Sequence, residues 1–137
     1  MKLSNQKISQ IGSFEKITLR MSGMRGSVEY EITVQDSAAE VSLYQIRYCR
    51  PKEQRIREKW VSVSCGAVLR LLNDCRLLSW DGFHGDHPRG VRDGTVFSLA
   101  AVVNGGKMIK ADGSQNFPKH FADFRNGIQE MLNSDKS

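Results

Sequence analysis

The sequence of 137 residues predicts an α+β domain of two layers, an antiparallel sheet of about five strands with two helices packed on one face. Three observations carry that expectation. Apolar and polar residues alternate through the first half, the period that sends every second side chain to one face of a strand. A 3.6-residue period replaces the alternation over Ser64 to about Leu78, and again after Pro118. Between the two helical stretches lies Asn104-Gly105, the pair that tight type I′ hairpins favour.

Length and composition set the outer limits. A chain of this size buries a core without staples. With 39% hydrophobic and 26% charged residues, it has globular composition rather than that of a disordered chain. No repeat, low-complexity tract or linker divides it, so 1–137 reads as one domain with loose ends at 1–12 and 133–137. MKLSNQKISQIGSF lacks the apolar run of a signal peptide, and no later stretch is long and apolar enough to span a bilayer. A cytoplasmic location with no membrane partner is the expectation, although a chain already freed of its signal would read the same way. Cys49, Cys65 and Cys75 are odd in number and lack a C-x-x-C pair, which argues against a disulfide framework or a structural zinc site. They read as small buried hydrophobes, with Cys65 near a helix start the one position that would favour a thiolate.

In chain order, Ile17, Leu19 and Met21 share one face of a first strand, with Lys16, Thr18 and Arg20 on the other. Ser22-Gly23-Met24-Arg25-Gly26 reads as a turn. Val28, Tyr30, Ile32 and Val34 then alternate with Glu29, Glu31 and Thr33, giving a strand with one buried and one wet face. After a turn at Gln35 to Ala38, a third strand covers about Glu40 to Tyr48. Its apolar phase switches between Leu43 and Tyr44, which calls for a bulge there or burial on both faces. Arg50 to Lys59 is the most basic stretch. Pro51 excludes a central strand at that point, and the charges suit an edge that leads into Trp60, Val61 and Val63. With a net charge of +5, a nucleic-acid-contacting arm is the functional alternative, but stacking aromatics are scarce around it and nucleic acid is not the expected partner.

Val68, Leu71, Leu72 and Cys75 form the stripe of the first helix, with Ser62 or Ser64 as its cap. Trp80 to Gly94 reads as a long polar loop rich in Gly and Asp. Thr95 to Val103 and Lys107 to Ala111 are the arms of the hairpin, and Asp112 to Gln115 a further turn. The last helix opens around Asn116 to Pro118 and carries Phe121, Phe124, Ile128, Met131 and Leu132. Gly127 inside it implies a close packing contact or a bend.

Chemistry gathers in the long loop. Asp81, His84, Asp86 and His87 are the one cluster of metal-ligand composition, yet they match no standard metal signature, and Arg89 and Arg92 oppose a cation there. No metal or cofactor is therefore expected. His84 or His87 beside Asp81, Asp86 or Asp93 would also make a general base with its carboxylate. No nucleophile elbow, phosphate loop or dinucleotide fingerprint accompanies them. His120 reads as exposed and helix-terminal. Trp80, Asp81, His84, Asp86, His87 and Arg89 are thus the candidate binding residues, and His84 to Pro88 the part that turn chemistry leaves unexplained.

The order Trp80-Asp81-Gly82-Phe83, Asp93-Gly94 with Phe97-Ser98-Leu99, and Gly113-Ser114-Gln115-Asn116-Phe117-Pro118 resembles that of small, mostly uncharacterised bacterial α+β domains. Their pattern is W-x-G-F, D-G-x-x-W-x-L and G-x-N-x-x-P. The resemblance spans roughly residues 70 to 132. This chain departs from it with Phe97 in place of tryptophan, with Pro118 two residues after Asn116, and with an inserted-looking His-Gly-Asp-His-Pro. What it implies is a fold, with no activity attached. Two function classes remain: a non-enzymatic binding or protein-interaction module, whose partner could be a second copy, and a metal- or histidine-dependent enzyme using the 80–93 loop.

Overall fold

The computed structural model describes residues 10–23, 26–49, 52–90 and 94–134. Four strands run in sequence as a meander: β1 (Phe14–Gly23), β2 (Gly26–Gln35), β3 (Ala38–Cys49) and β4 (Lys52–Ser64). Helix α1 (Cys65–Asp74) and a 3-10 turn (Leu77–Trp80) follow. Then come β5 (His84–Gly85), β6 (Val96–Val103), β7 (Lys107–Ser114) and helix α2 (Phe121–Asn133). The chain is α+β, with seven strands rather than about five, in the order β4-β3-β2-β1-β6-β7-β5. Every pairing is antiparallel except that of β5 with β7. The expected strands are all present. The excess comes from β4, which takes up the basic stretch from Lys52 onward, and from β5, which is too short to show a period.

Alternate residues of the sheet, among them Ile17, Leu19, Ile32, Val41, Leu99, Ala101 and Ile109, join Val68 and Leu72 of α1 and Phe124 and Ile128 of α2 in one apolar cluster. Each is 3% exposed or less. At about 25 cal/mol per Å² of apolar area, this burial is the main force holding the sheet and helices together. Where Gly127 passes α1, an added Cβ would lie 2.5 Å from Leu71 Cδ1, so the glycine marks the close packing contact expected of it. Among the described residues no helix is long and apolar enough to cross a membrane.

The β3–β4 register shifts between Leu43 and Tyr44, as the phase switch requires, and the extra residue, Glu58, belongs to β4. Pairing of β3 with β2 runs through that point unbroken, so Leu43 stays with the core while Tyr44 and Ile46 turn to the opposite face. At the hairpin Asn104 and Gly105 both take positive φ, 48° and 76°, as a type I′ turn demands. Asn104 also grips the lead-in: its Oδ1 accepts from the Gly12 N–H at 2.7 Å and its Nδ2 donates to the Gln10 carbonyl at 3.2 Å. The lead-in is therefore not wholly loose, since Ile11 is 3% exposed and bonded through its N–H to Asn73 Oδ1 at 2.8 Å.

Two helix boundaries differ from expectation. Ser64 caps α1, accepting from the Ala67 N–H at 3.1 Å, but the helix ends at Asp74 because Arg76 adopts left-handed backbone and starts the 3-10 turn. Helix α2 starts at Phe121 instead of near Asn116, since His120 at its head is also left-handed, with φ 71°. Of the turn expected over Ser22 to Gly26, Ser22 and Gly23 belong to β1 and Gly26 to β2, while Met24 and Arg25 lie outside the described residues, as do Arg50 and Pro51.

Candidate functional site

The Trp80–Phe83 segment is structure rather than loop. Trp80 is 1% exposed, its ring edge-on to Phe124 at 5.5 Å and tilted against Phe121 at 5.9 Å. Removed from solvent in this way, Trp80 anchors the segment to the core. Asp81 binds the neighbouring strand: Oδ1 accepts from the Lys110 N–H at 3.1 Å and Oδ2 lies 3.5 Å from Lys107 Nζ. The Lys110 N–H, aided by the Lys107 charge, holds this carboxyl below the usual carboxylate range. Gly82, at φ 86°, donates its N–H to the Lys110 carbonyl at 2.8 Å. Phe83 packs against Phe97 at 6.2 Å.

These contacts deliver β5 to the edge of β7, with His84 paired to Asp112 and Gly85 to Gly113. His84 Nδ1 meets Asp112 Oδ1 at 2.5 Å, and its Nε2 lies 3.1 Å from Asp86 Oδ1. The row Asp86–His84–Asp112 is well exposed, with 69% of the His84 side chain open to solvent. The Asp112 hydrogen bond and charge, followed by Asp86, raise the His84 pKa above its ordinary value. One step along, His87 Nδ1 lies 2.8 Å from Ser114 Oγ, and Asn116 Nδ2 donates to the Asp86 carbonyl at 3.1 Å. Asn116 therefore pins the loop. Gly85 and Gly113 are needed for proximity: a Cβ on either would run into the Asn116 backbone carbonyl. Neither Gly94 nor Gly113 adopts left-handed backbone.

The four residues of metal-ligand composition are thus distributed rather than gathered. His84 and Asp86 meet each other and Asp112, His87 turns to Ser114, and Asp81 caps Lys110. Among the described residues no group of three or more His, Cys, Asp and Glu side chains could hold a metal ion. Arg89 is exposed, and Arg92 and Asp93 lie outside the described residues. Asp112, Ser114 and Asn116 were missed as partners of the loop. The signal for the first two was available, because Ile109, Ala111 and Gly113 continue the alternation of β7 and place Lys110, Asp112 and Ser114 together on its other face. The supposed turn at Asp112–Gln115 is therefore mostly strand. His120 sits at the head of α2, Nδ1 3.3 Å from Asp123 Oδ2.

A second group of side chains spans β1 to β4. Glu29, though 7% exposed, is met by Arg20 at 3.2 Å and by Arg55 at 2.7 Å, and Arg20 also reaches Glu53 at 2.8 Å. Arg57 pairs with Glu40 at 2.8 Å and donates to Ser42 Oγ at 2.9 Å. The guanidinium of Arg55 stands 3.9 Å from the Tyr44 ring centroid, and that of Arg57 stands 4.4 Å from the Trp60 ring. The described arginines of the basic stretch, Arg55 and Arg57, are thus matched by carboxylates of other strands, Glu29 and Glu31 of β2 and Glu40 of β3. Cys75 is 1% exposed, and burial pushes its thiol up to about 11, which fits a small buried hydrophobe. Comparison of the chain with protein-family models, curated proteins and solved structures gives no match.

Proposed function

We propose that this chain is a non-enzymatic binding module that contacts a protein partner through the sheet face turned away from its helices. In this reading α1 and α2 both pack on the core face and leave the other uncovered. The observation that carries the proposal is Trp60, 54% exposed on the edge strand, with the Arg57 guanidinium stacked over it. Tryptophan, tyrosine and arginine are enriched among the few residues that dominate the energetics of protein interfaces. Tyr44 under Arg55 extends the group. Val96, 48% exposed, and Met108, 46% exposed, lie in register with this face further across the sheet. The pairing of arginines with glutamates favours a protein over a nucleic acid, which needs free cations gathered on one face.

Affinity capture from extract with immobilised wild type, Trp60→Ser and Arg57→Ala tests the proposal, with circular dichroism to check folding. The expected result is a protein retained by wild type and reduced about tenfold or more by either variant, the loss of roughly 1.4 kcal/mol or more typical of a hot spot. Identical retention by all three sinks the reading.

The second reading, a histidine-dependent or metal-dependent enzyme, draws on the Asp86–His84–Asp112 row. Calorimetric titration with zinc, manganese and nickel favours it only if binding occurs and is lost in His84→Ala and His87→Ala.

A further inference from the structure

A cavity of about 290 Å³ lies between the β1–β2 hairpin, the approach to β6 and helix α2. Met21 and Val28 form its apolar wall, and Tyr30, Thr95 and Arg125 bring polar atoms to it. Among the described residues no carboxylate lines it. Arg125 Nε is buried without a hydrogen-bond partner, and Arg125 makes no ion pair among the described residues. One turn along α2, Gln129 Nε2 donates to Tyr30 Oη at 2.9 Å, which occupies that oxygen as an acceptor and leaves its own O–H to give. Tyr30 is 4% exposed, so this O–H does not turn freely to bulk water.

The cavity thus brings an unpaired guanidinium nitrogen and a phenol O–H beside an apolar wall. A buried donor left unpaired is costly, and more so when it is charged, whereas a guanidinium facing a carboxylate makes two short parallel hydrogen bonds. We propose that the cavity binds a small carboxylic acid with an apolar body, its carboxylate on Arg125 and the Tyr30 O–H, its body against Met21 and Val28. Among the described residues Arg125 is the one cation that lines the cavity, which matches a monoanion better than a phosphate dianion. The volume, at ~30 Å³ for each water in the liquid, equals roughly ten waters, room for an acid of about eight to ten non-hydrogen atoms. The inference is independent of the sheet-face reading, since Trp60 and Arg57 take no part in it.

Octanoate and octanol are the probes, titrated into the full chain and followed by amide shifts in a two-dimensional nitrogen–proton NMR spectrum. Octanoate is expected to bind saturably with shifts at Met21, Val28, Thr95 and Arg125, and octanol about tenfold or more weakly, the worth of a charged hydrogen-bond pair. Arg125→Met keeps the apolar stem and removes the fork, and should weaken octanoate by a similar factor. Tyr30→Phe keeps the ring and should weaken it several-fold; the spectra themselves report whether each variant is folded. The inference is overturned by absence of saturable octanoate binding, by octanol binding equally well, or by both folded variants binding octanoate as wild type does.

Discussion

His84 shows what a partner across the sheet does that a neighbour in sequence cannot. Its closest acid, Asp112, lies 28 residues away and reaches it only because β5 pairs with β7 in parallel. Asp112 and Asp86 raise its pKa above the ordinary 6.5, so the folded chain holds the proton more tightly than the unfolded chain does. The stabilisation from this contact is whole below pH 6.5 and is lost as pH rises through the raised value. A proton NMR titration should place the His84 midpoint above 6.5 in the wild type and closer to 6.5 in Asp112→Asn. A wild-type midpoint at or below 6.5 would show that the contact does not form in solution. In the sequence His84 could be matched only with Asp81, Asp86 and Asp93, because local spacing carries no information about which strand lies alongside.

Helices and strands with a clear period were legible; their ends and their irregular joints were not. The stripe of α1 and that of α2 stand where the 3.6-residue period put them, because burial of a whole face outweighs the propensity of any one residue. The ends moved inward where Arg76 and His120 adopt left-handed backbone, a cost that tertiary packing imposes and that neither residue type announces. The helix contact yields a test. Adding a methyl at Gly127 removes glycine's entropy cost of about 1 kcal/mol but drives Cβ into Leu71. Urea denaturation should show Gly127→Ala gaining much less than that in the wild type, and close to the full ~1 kcal/mol in a Leu71→Ala background. Equal effects in the two backgrounds would mean that the helices do not meet at this point.

Across the whole molecule, strand order is the property least visible in sequence. Hairpin neighbours could be paired by turn chemistry, but nothing local states that β1 takes β6 as its second partner, Ile17 beside Ala101. From that order follows a gradient of protection. Amides of β1, β2 and β6, flanked on both sides, should exchange with deuterium most slowly, and those of β4 and β5, at the two edges, soonest. Slowest exchange in β4 would contradict the order. The placement of β1 has a consequence for the chain as it is being made. While the meander is emerging from the ribosome, one flank of β1 stays unpaired until β6 has been translated. Its open amides and carbonyls are during that interval a template for any other strand. The strand best protected in the finished protein is therefore the one most in need of shelter during its synthesis.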